Sequence, residues 1–448
     1  MTWRPVVMAL GAMLGAGAVQ AQQVPQRLTL EDALEIARER NPAYRKAIVQ
    51  ADASGADVTA GVGQFLPNVN GSLNFNGSTR TVFTGTDDFG RAVETQTSRT
   101  FRSSSSSQGV TSNLTLFDGL QNVNNLRAAR AGARATRAGV GVEAARMEAD
   151  VKRRFYGLVQ AQDLVAIEER MLAARNRELS ATERLFRVAS RTQVDVLGAQ
   201  VSVSRQEAAL ETARGTARKN RLLLAEGIGL EGGVSFEAQG TLPEVFDPSL
   251  LDADELVTYA LQHNPRVEQA IANVRQQDFA ASAARGQRWP TLGANVGFNR
   301  SLSQDGYGGL FELDPRDRAF SFGFSVSIPV FTRFQTSQAI ARASANEHAA
   351  DEDLRAVRLE VERMVRSAVI DVENSYRQVQ LADRSAELGR QRLAMAQQQY
   401  QVGSIDFTQL QQIVTTSASD ERDALTARLN WANALTALEE LVRRTVTP

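Results

Sequence analysis

From Val330 to Thr447 the chain contains no proline, and almost no turn signal before Val402-Gly403-Ser404. A stretch this long without a breaker leaves few folds open. Between Arg333 and Gln401 apolar residues recur at helical spacing, with Val357, Val361, Met364, Ala368 and Val372 on one face, the mark of an amphipathic helix. At 1.5 Å rise per residue, roughly 70 residues make a rod about 100 Å long, against three or four turns in an ordinary globular helix. After Gly403 a second run, from Asp406 to Val446, folds back along the first. The element is a very long helical hairpin rather than a globular core.

The same element occurs earlier in the chain. Leu116-Phe117-Asp118 opens a proline-free run that breaks at Val188-Ala189-Ser190 and continues to about Glu226. A shift of 214 positions lays Met147 on Val361, Val151 on Val365, Phe155 on Val369, Leu158 on Val372 and Val165 on Val379. It also lays the segment from Phe186 to Ser190 on that from Tyr400 to Ser404. Upstream, Thr29 and Asp32 read as a helix cap with an acid three residues on. That short helix ends at Asn41-Pro42, where asparagine caps and proline starts a second helix to about Gln64, stopped by Phe65-Leu66-Pro67. The whole unit recurs 223 positions later, at Asp252 to Glu255, Asn264-Pro265 and Trp289-Pro290. An internal duplication therefore organises the chain: a first repeat over 22–228, a connector over 229–250 and a second repeat over 251–448.

Residues 1–21 precede the first repeat as a secretory leader, with Arg4 before the apolar stretch Val6 to Val19 and small residues at Val19-Gln20-Ala21 for cleavage. No later stretch holds 18 consecutive apolar residues, so no membrane-spanning helix is expected. The formal net charge of -1 gives no electrostatic case for nucleic acid. Cysteine is absent, which excludes disulfides, thiolate chemistry and a lipid-acceptor cysteine. The two histidines, His263 and His348, lie in unrelated places, so histidine-based metal ligation and acid–base catalysis are not expected. Gly227-Ile228-Gly229-Leu230-Glu231-Gly232 matches a dinucleotide fingerprint by letter but follows a helix, not a strand. No enzyme and no cofactor are read here.

After each terminal proline the period changes from helical to two. Val69, Leu73 and Phe75 alternate with Asn70, Ser72 and Asn74; Val110, Leu114 and Leu116 with Thr111, Asn113 and Thr115. In the second repeat Leu292, Ala294, Val296 and Phe298 alternate with Asn295 and Asn299, and Phe320 to Ile328 alternate with Ser321, Gly323, Ser325 and Ser327. Four strands of about ten residues are expected near 68–117 and 291–330, with loops around Thr84 to Thr100 and Gln304 to Arg316. They are either a half-buried sheet on a helix or a barrel wall, apolar toward lipid and polar inside. The rods lack a broad apolar face to cover such a sheet, and the leader favours the wall. Four strands cannot close alone, since the smallest barrels need eight, so a barrel requires several chains.

These features together resemble the TolC family of outer membrane factors. The resemblance rests on the duplicated Asn-Pro helix, the Leu66-Pro67 and Trp289-Pro290 openings, Leu116-Phe117-Asp118-Gly119 and Ile328-Pro329-Val330-Phe331. It extends to the segments Phe186 to Leu197 and Tyr400 to Leu410, and so over essentially all of the chain after the leader. It implies an α+β membrane protein: a long periplasmic α-helical barrel and a transmembrane β-barrel set in outer membrane lipid, with four strands per protomer and twelve in a homotrimer. It further implies the exit duct of a tripartite efflux pump or type I secretion system in a Gram-negative bacterium. Such a duct docks on a periplasmic adaptor protein and works with an inner membrane transporter. A periplasmic coiled-coil structural protein and a general diffusion porin are the competing readings; the first needs no barrel, and the second does not explain the rods.

The resemblance also implies where function lies. The two helical turns would form the periplasmic tip, with Val188, Ala189, Ser190, Val402, Gly403 and Ser404 as the adaptor contacts. Tyr400 matches the family's gate tyrosine and Asp195 its acidic partner, so a phenol–carboxylate bond is expected between them. Ile405 stands where the family carries an arginine, with Arg191 as its replacement. Gln409 and Gln412 occupy the positions of two aperture aspartates, so no strongly cation-attracting ring is expected.

Overall fold

The computed structural model describes residues 26–86, 89, 91–188, 190–231, 236–308, 311 and 317–446; the leader lies outside them. The chain opens with β1 (Arg27–Leu28), α1 (Leu30–Arg40) and α2 (Pro42–Gly63). It then runs through β2 (Asn68–Thr86), β3 (Ala92–Phe117), α3 (Gln121–Arg187), α4 (Gln193–Gly227) and β4 (Glu237–Ala238). The second repeat follows as α5 (Ala253–His263), α6 (Pro265–Gly286), β5 (Thr291–Asp305), β6 (Asp317–Ser327), α7 (Gln335–Gln401) and α8 (Phe407–Val442). Both α3 and α7 span 67 residues, and both α2 and α6 span 22. Even the backbone strain repeats: Gly119-Leu120 and Arg333-Phe334, 214 positions apart, are both left-handed pairs where strand turns into rod. Non-glycine residues in that region cost about 1–2 kcal/mol each. Gly119 has a second reason to be glycine, since a Cβ there would meet Gly286 O at 2.3 Å.

The Asn-Pro pairs turn out to splice helices end to end. Asn41 caps α2 by accepting from Tyr44 N at 3.0 Å, while its Nδ2 donates to Gly227 O, at the last residue of α4, at 2.8 Å. Asn264 does the same for α6, accepting from Arg266 N at 2.9 Å and donating to Leu441 O of α8 at 2.9 Å. One amide thus satisfies an orphan donor of one helix and an orphan carbonyl of another. The result is that α4 with α2, and α8 with α6, run as two-piece rods alongside the unbroken α3 and α7. At each splice sits a core. In the first repeat it is built on Met147, Val151, Phe155, Leu158, Leu224 and Ile228. In the second it is Val361, Val365, Val369, Val372, Leu438 and Val442, the same positions 214 residues on. The bulkiest side chain changes place: Phe155 faces a repeat-two valine by alignment, and the fully buried Trp431 has Ala217 as its counterpart.

The four long strands form one antiparallel sheet in the order β2-β3-β5-β6, with β2 and β6 at its edges. The register puts Val110, Phe298 and Phe320 in one row and Asn70, Thr111 and Ser321 in the next, whereas on the edge strand β2 Val69 lies opposite Ser112 and Leu73 opposite Gln108. Phe320, Phe322, Phe324, Val326 and Ile328 are 63–74% exposed. No rod covers this face, so the half-buried sheet is set aside. Among the described residues no helix is long and apolar enough to cross a membrane.

One expectation needs correction. The region from Thr84 to Thr100 is mostly ladder rather than loop: β2 runs to Thr86 and β3 starts at Ala92. The ladder needs only backbone hydrogen bonds, so it continues beyond the band where side chains must alternate.

Candidate functional site at the hairpin tip

The two tip turns share one backbone design. At the first, Ser190 N donates to Leu185 O at 2.9 Å; at the second, Ser404 N donates to Gln399 O at 2.9 Å. These are Schellman-type endings of α3 and α7. Gly403 supplies the left-handed residue, at φ +78, with open space where a Cβ would lie. Its counterpart Ala189 lies outside the described residues. Val188 and Val402 are 68% and 77% exposed, and Ser190, Gly403 and Ser404 are exposed as well, so the described contact candidates stand free at the end of the rods.

The caps that follow differ. Thr192 and Asp195 make a full capping box: Asp195 N donates to Thr192 Oγ1 at 3.2 Å, and Thr192 N donates to Asp195 Oδ2 at 2.9 Å. At the equivalent place Asp406 caps α8, accepting from Gln409 N at 2.7 Å. The carboxylate of Asp195 also accepts from Thr192 Oγ1 at 3.0 Å. It is held by its own helix start, and the bond expected with Tyr400 is not formed.

Tyr400 instead is 3% exposed, and its hydroxyl lies 3.3 Å from Thr182 Oγ1. Its ring packs with Phe407, Leu410 and Val414. Over that ring, 4.2 Å from its centre, sits the guanidinium of Arg191. The same guanidinium donates to Tyr400 O at 3.1 Å and to Ile405 O at 3.4 Å. Arg191 therefore reaches from the first turn and grips the second on both sides of Val402-Gly403-Ser404. Structure brings Arg191 and Tyr400 together and leaves Asp195 apart. Gln409 and Gln412 are exposed on α8 just above.

Above the tip the two hairpins meet where α3 lies against α8, and polar pairs flank an apolar patch of Ile167, Met171, Ala418 and Leu425 there. Gln411 on α8 donates to Glu178 at 2.5 Å and accepts from Arg175. Higher up, Glu168 of α3 is 3% exposed. It accepts from Arg422 of α8 at 2.7 and 3.0 Å and from Gln206 of α4 at 2.6 Å. Burial alone would push the Glu168 carboxyl up, but the Arg422 and Gln206 hydrogen bonds outweigh it and hold the group below the ordinary carboxylate range. At Glu178 burial wins over Arg175 and Gln411, and its carboxyl is raised. Thr182, Glu168 and Arg422 escape a reading of the sequence, because partners up to 254 positions apart leave no local pattern. The capping role of Asp195 was legible in the spacing Thr192-x-x-Asp195.

Comparison with known proteins follows the same outline. The family model described as outer membrane efflux protein matches residues 33–230 and 256–442. The outer membrane efflux protein BepC of Brucella suis is 24% identical over 394 residues, covering 86% of this chain and 77% of that protein. A membrane protein from Pseudomonas aeruginosa superposes with a TM-score of 0.75 at 17% identity, over 92% of this chain and 93% of that one. The CmeC outer membrane channel of Campylobacter jejuni gives a TM-score of 0.75 at 13% identity, over 92% and 85%.

Proposed function

The chain belongs to the outer membrane efflux protein family and is an outer membrane channel rather than an enzyme; from that premise we propose that three copies form the exit duct of a tripartite efflux pump or type I secretion system. One observation supports assembly above all: the sheet has two open edges, β2 and β6, while its apolar face is bare from Phe320 to Ile328. The helices carry the same sign of incompleteness. In the chain α6 packs on both α3 and α7, whereas α2 packs on α3 without a comparable second rod. A neighbouring chain that presents β6 to β2 and α7 to α2 would complete both.

The inner face supports three copies over two. An eight-stranded barrel is filled by its own side chains, but this face carries Asn70, Ser72, Thr111, Gly297 and Ser321, too small to fill an interior. Twelve strands from three chains leave a wet lumen instead. The rods then continue the tube into the periplasm, and the free turns at Val188, Ser190, Val402, Gly403 and Ser404, with Ala189, meet the adaptor. An inner membrane transporter supplies the energy. Arg191 and Tyr400 hold the resting tip shut, and Gln409 and Gln412 give its mouth no fixed charge. The test is mass: light scattering in detergent, with the detergent subtracted, should give three chains per particle. A monodisperse particle of one or two chains would overturn the proposal.

A further inference from the structure

On the outer, apolar face of the sheet the apolar run stops at one level on two neighbouring strands. Along β6 it holds Val326, Phe324, Phe322 and Phe320, and then Arg318; along β5 it holds Leu292, Ala294, Val296 and Phe298, and then Arg300. Phe298 stands opposite Phe320, and two residues on Arg300 stands opposite Arg318. From Ile328 to Phe320 extended chain rises about 26 Å, which is about 20 Å of depth at a barrel tilt of about 40°, close to the apolar band of an outer membrane barrel. Val330 and Phe331, 91% and 73% exposed, extend that band on the side of the rods. The strands leave the rods at Pro290 and Pro329, so the arginine row lies at the far, outer end of the band.

The surroundings of the two guanidinium groups set them apart from an ordinary wet rim. Side chains alternate between faces along a strand, so the neighbouring carboxylates fall on the inner face, where Asp317 is in register with Ser301 and Asp305 with Ser103. Base and acid are thus sorted by side. Above the arginine row the outer face is covered. Phe311 packs on Phe75 with ring centres 5.5 Å apart, the hydroxyls of Tyr307 and Thr79 are bonded, and Ser104 and Ser106 are buried. Arg318 is exposed, and Arg300 is half-buried with a contact of its own inside the chain. The row is a charged shelf between an apolar wall below and an aromatic cover above. Two guanidinium groups in register repel, and an anion shared between them relieves that repulsion.

Resting on the three-chain barrel above, we propose that Arg300 and Arg318 form a binding site for the phosphate groups of an outer-leaflet glycolipid. The planar fork of arginine matches phosphate with two parallel hydrogen bonds. A phosphate held at the top of an apolar wall belongs to a lipid, whose acyl chains lie along Phe298, Phe320 and Phe322. A free phosphate gains nothing from that wall. Lipid A, an acylated disaccharide that carries two phosphates, has the required chemistry. Three chains give three such sites around the barrel, one beside each hairpin of β5 and β6.

The test adds diphosphoryl lipid A to the delipidated full-length assembly in mild detergent and counts bound lipids by native mass spectrometry. Wild type should carry up to three lipids per three-chain particle. Arg300→Gln with Arg318→Gln should weaken binding at least about tenfold, and Arg300→Lys with Arg318→Lys should lose less. Lipid A stripped of its phosphates should bind wild type no better than the diphosphoryl form binds Arg300→Gln/Arg318→Gln. Arg358→Gln with Arg363→Gln removes the same charge from exposed positions on α7 and should leave binding unchanged. If Arg300→Gln/Arg318→Gln binds lipid A as wild type does while the particle keeps three chains, the site is wrong and the channel stands. Equal losses in both double variants would reduce the attraction to net charge and overturn the site. Displacement of the lipid by equimolar inorganic phosphate would make this a free-anion site and overturn the lipid assignment. A one-chain particle sinks the barrel itself.

Discussion

The two repeats agree at the equator, the level of the asparagine splices and their cores, and part at the tip. At the equator Met147, Val151, Leu158, Leu224 and Ile228 lie buried where Val361, Val365, Val372, Leu438 and Val442 lie 214 residues on. The asparagine splices are alike to within a tenth of an ångström or two. At the tip Arg191 answers to Ile405, Asp195 to Gln409 and Phe186 to Tyr400. The lesson is that symmetry persists where residues need only pack. It breaks where Arg191 of one hairpin grips the turn of the other.

The largest effect should come from breaking the conserved half. Trp431 is fully buried, with its indole donating to Glu244 O at 3.3 Å and its ring edge-on to Phe246. Trp431→Ala should destabilise the second equatorial core by about 3–5 kcal/mol, read as a lower thermal midpoint in detergent. Its counterpart Ala217 is already small, so substitution there to Gly should cost far less.

A smaller loss is expected at the polar seam. Glu168→Gln keeps the shape but removes the charge that Arg422 and Gln206 bind, costing about 3 kcal/mol, the low end for breaking a buried pair. The sign with pH follows from the depressed carboxyl. Its stabilisation is present above the unfolded carboxylate value and is lost as pH falls through the lower folded value. Glu178 acts oppositely: its raised carboxyl takes up a proton first, and the cost of burying its charge fades as pH falls. Thermal midpoints measured from pH 6 to 3 should drop steeply below the ordinary carboxylate range in the wild type, and the drop should be flatter in Glu168→Gln.

How much of this was legible depends on range along the chain. Caps and breakers act over three or four residues, so Thr29, Asn41-Pro42, Asn264-Pro265 and the turn at Gly403 are where the sequence puts them. The period of two located the four long strands, but not the short β1 and β4 or the extension of β2 and β3, which the backbone alone sustains. The pairing of Tyr400 failed because one local and one distant contact outcompeted it. Asp195 is claimed by Thr192 three residues away, and the phenol is enclosed against Thr182.

The smallest effect follows from that correction. Tyr400→Phe keeps the ring under Arg191 and removes only a 3.3 Å contact to Thr182, which already donates to Glu178 O at 3.0 Å. The cost should be about 0.5–1 kcal/mol, with single-channel conductance close to wild type. Asp195→Ala should cost about 1 kcal/mol through its cap alone, also without opening the channel.

The central claim is that a closed channel is held at its tip by Arg191, where the repeats differ most. It is tested most directly by single-channel conductance of Arg191→Met in a planar bilayer, a change that keeps the bulk and deletes the guanidinium. The account predicts a several-fold rise over wild type while the particle still contains three chains. A conductance equal to wild type in that intact assembly would contradict it.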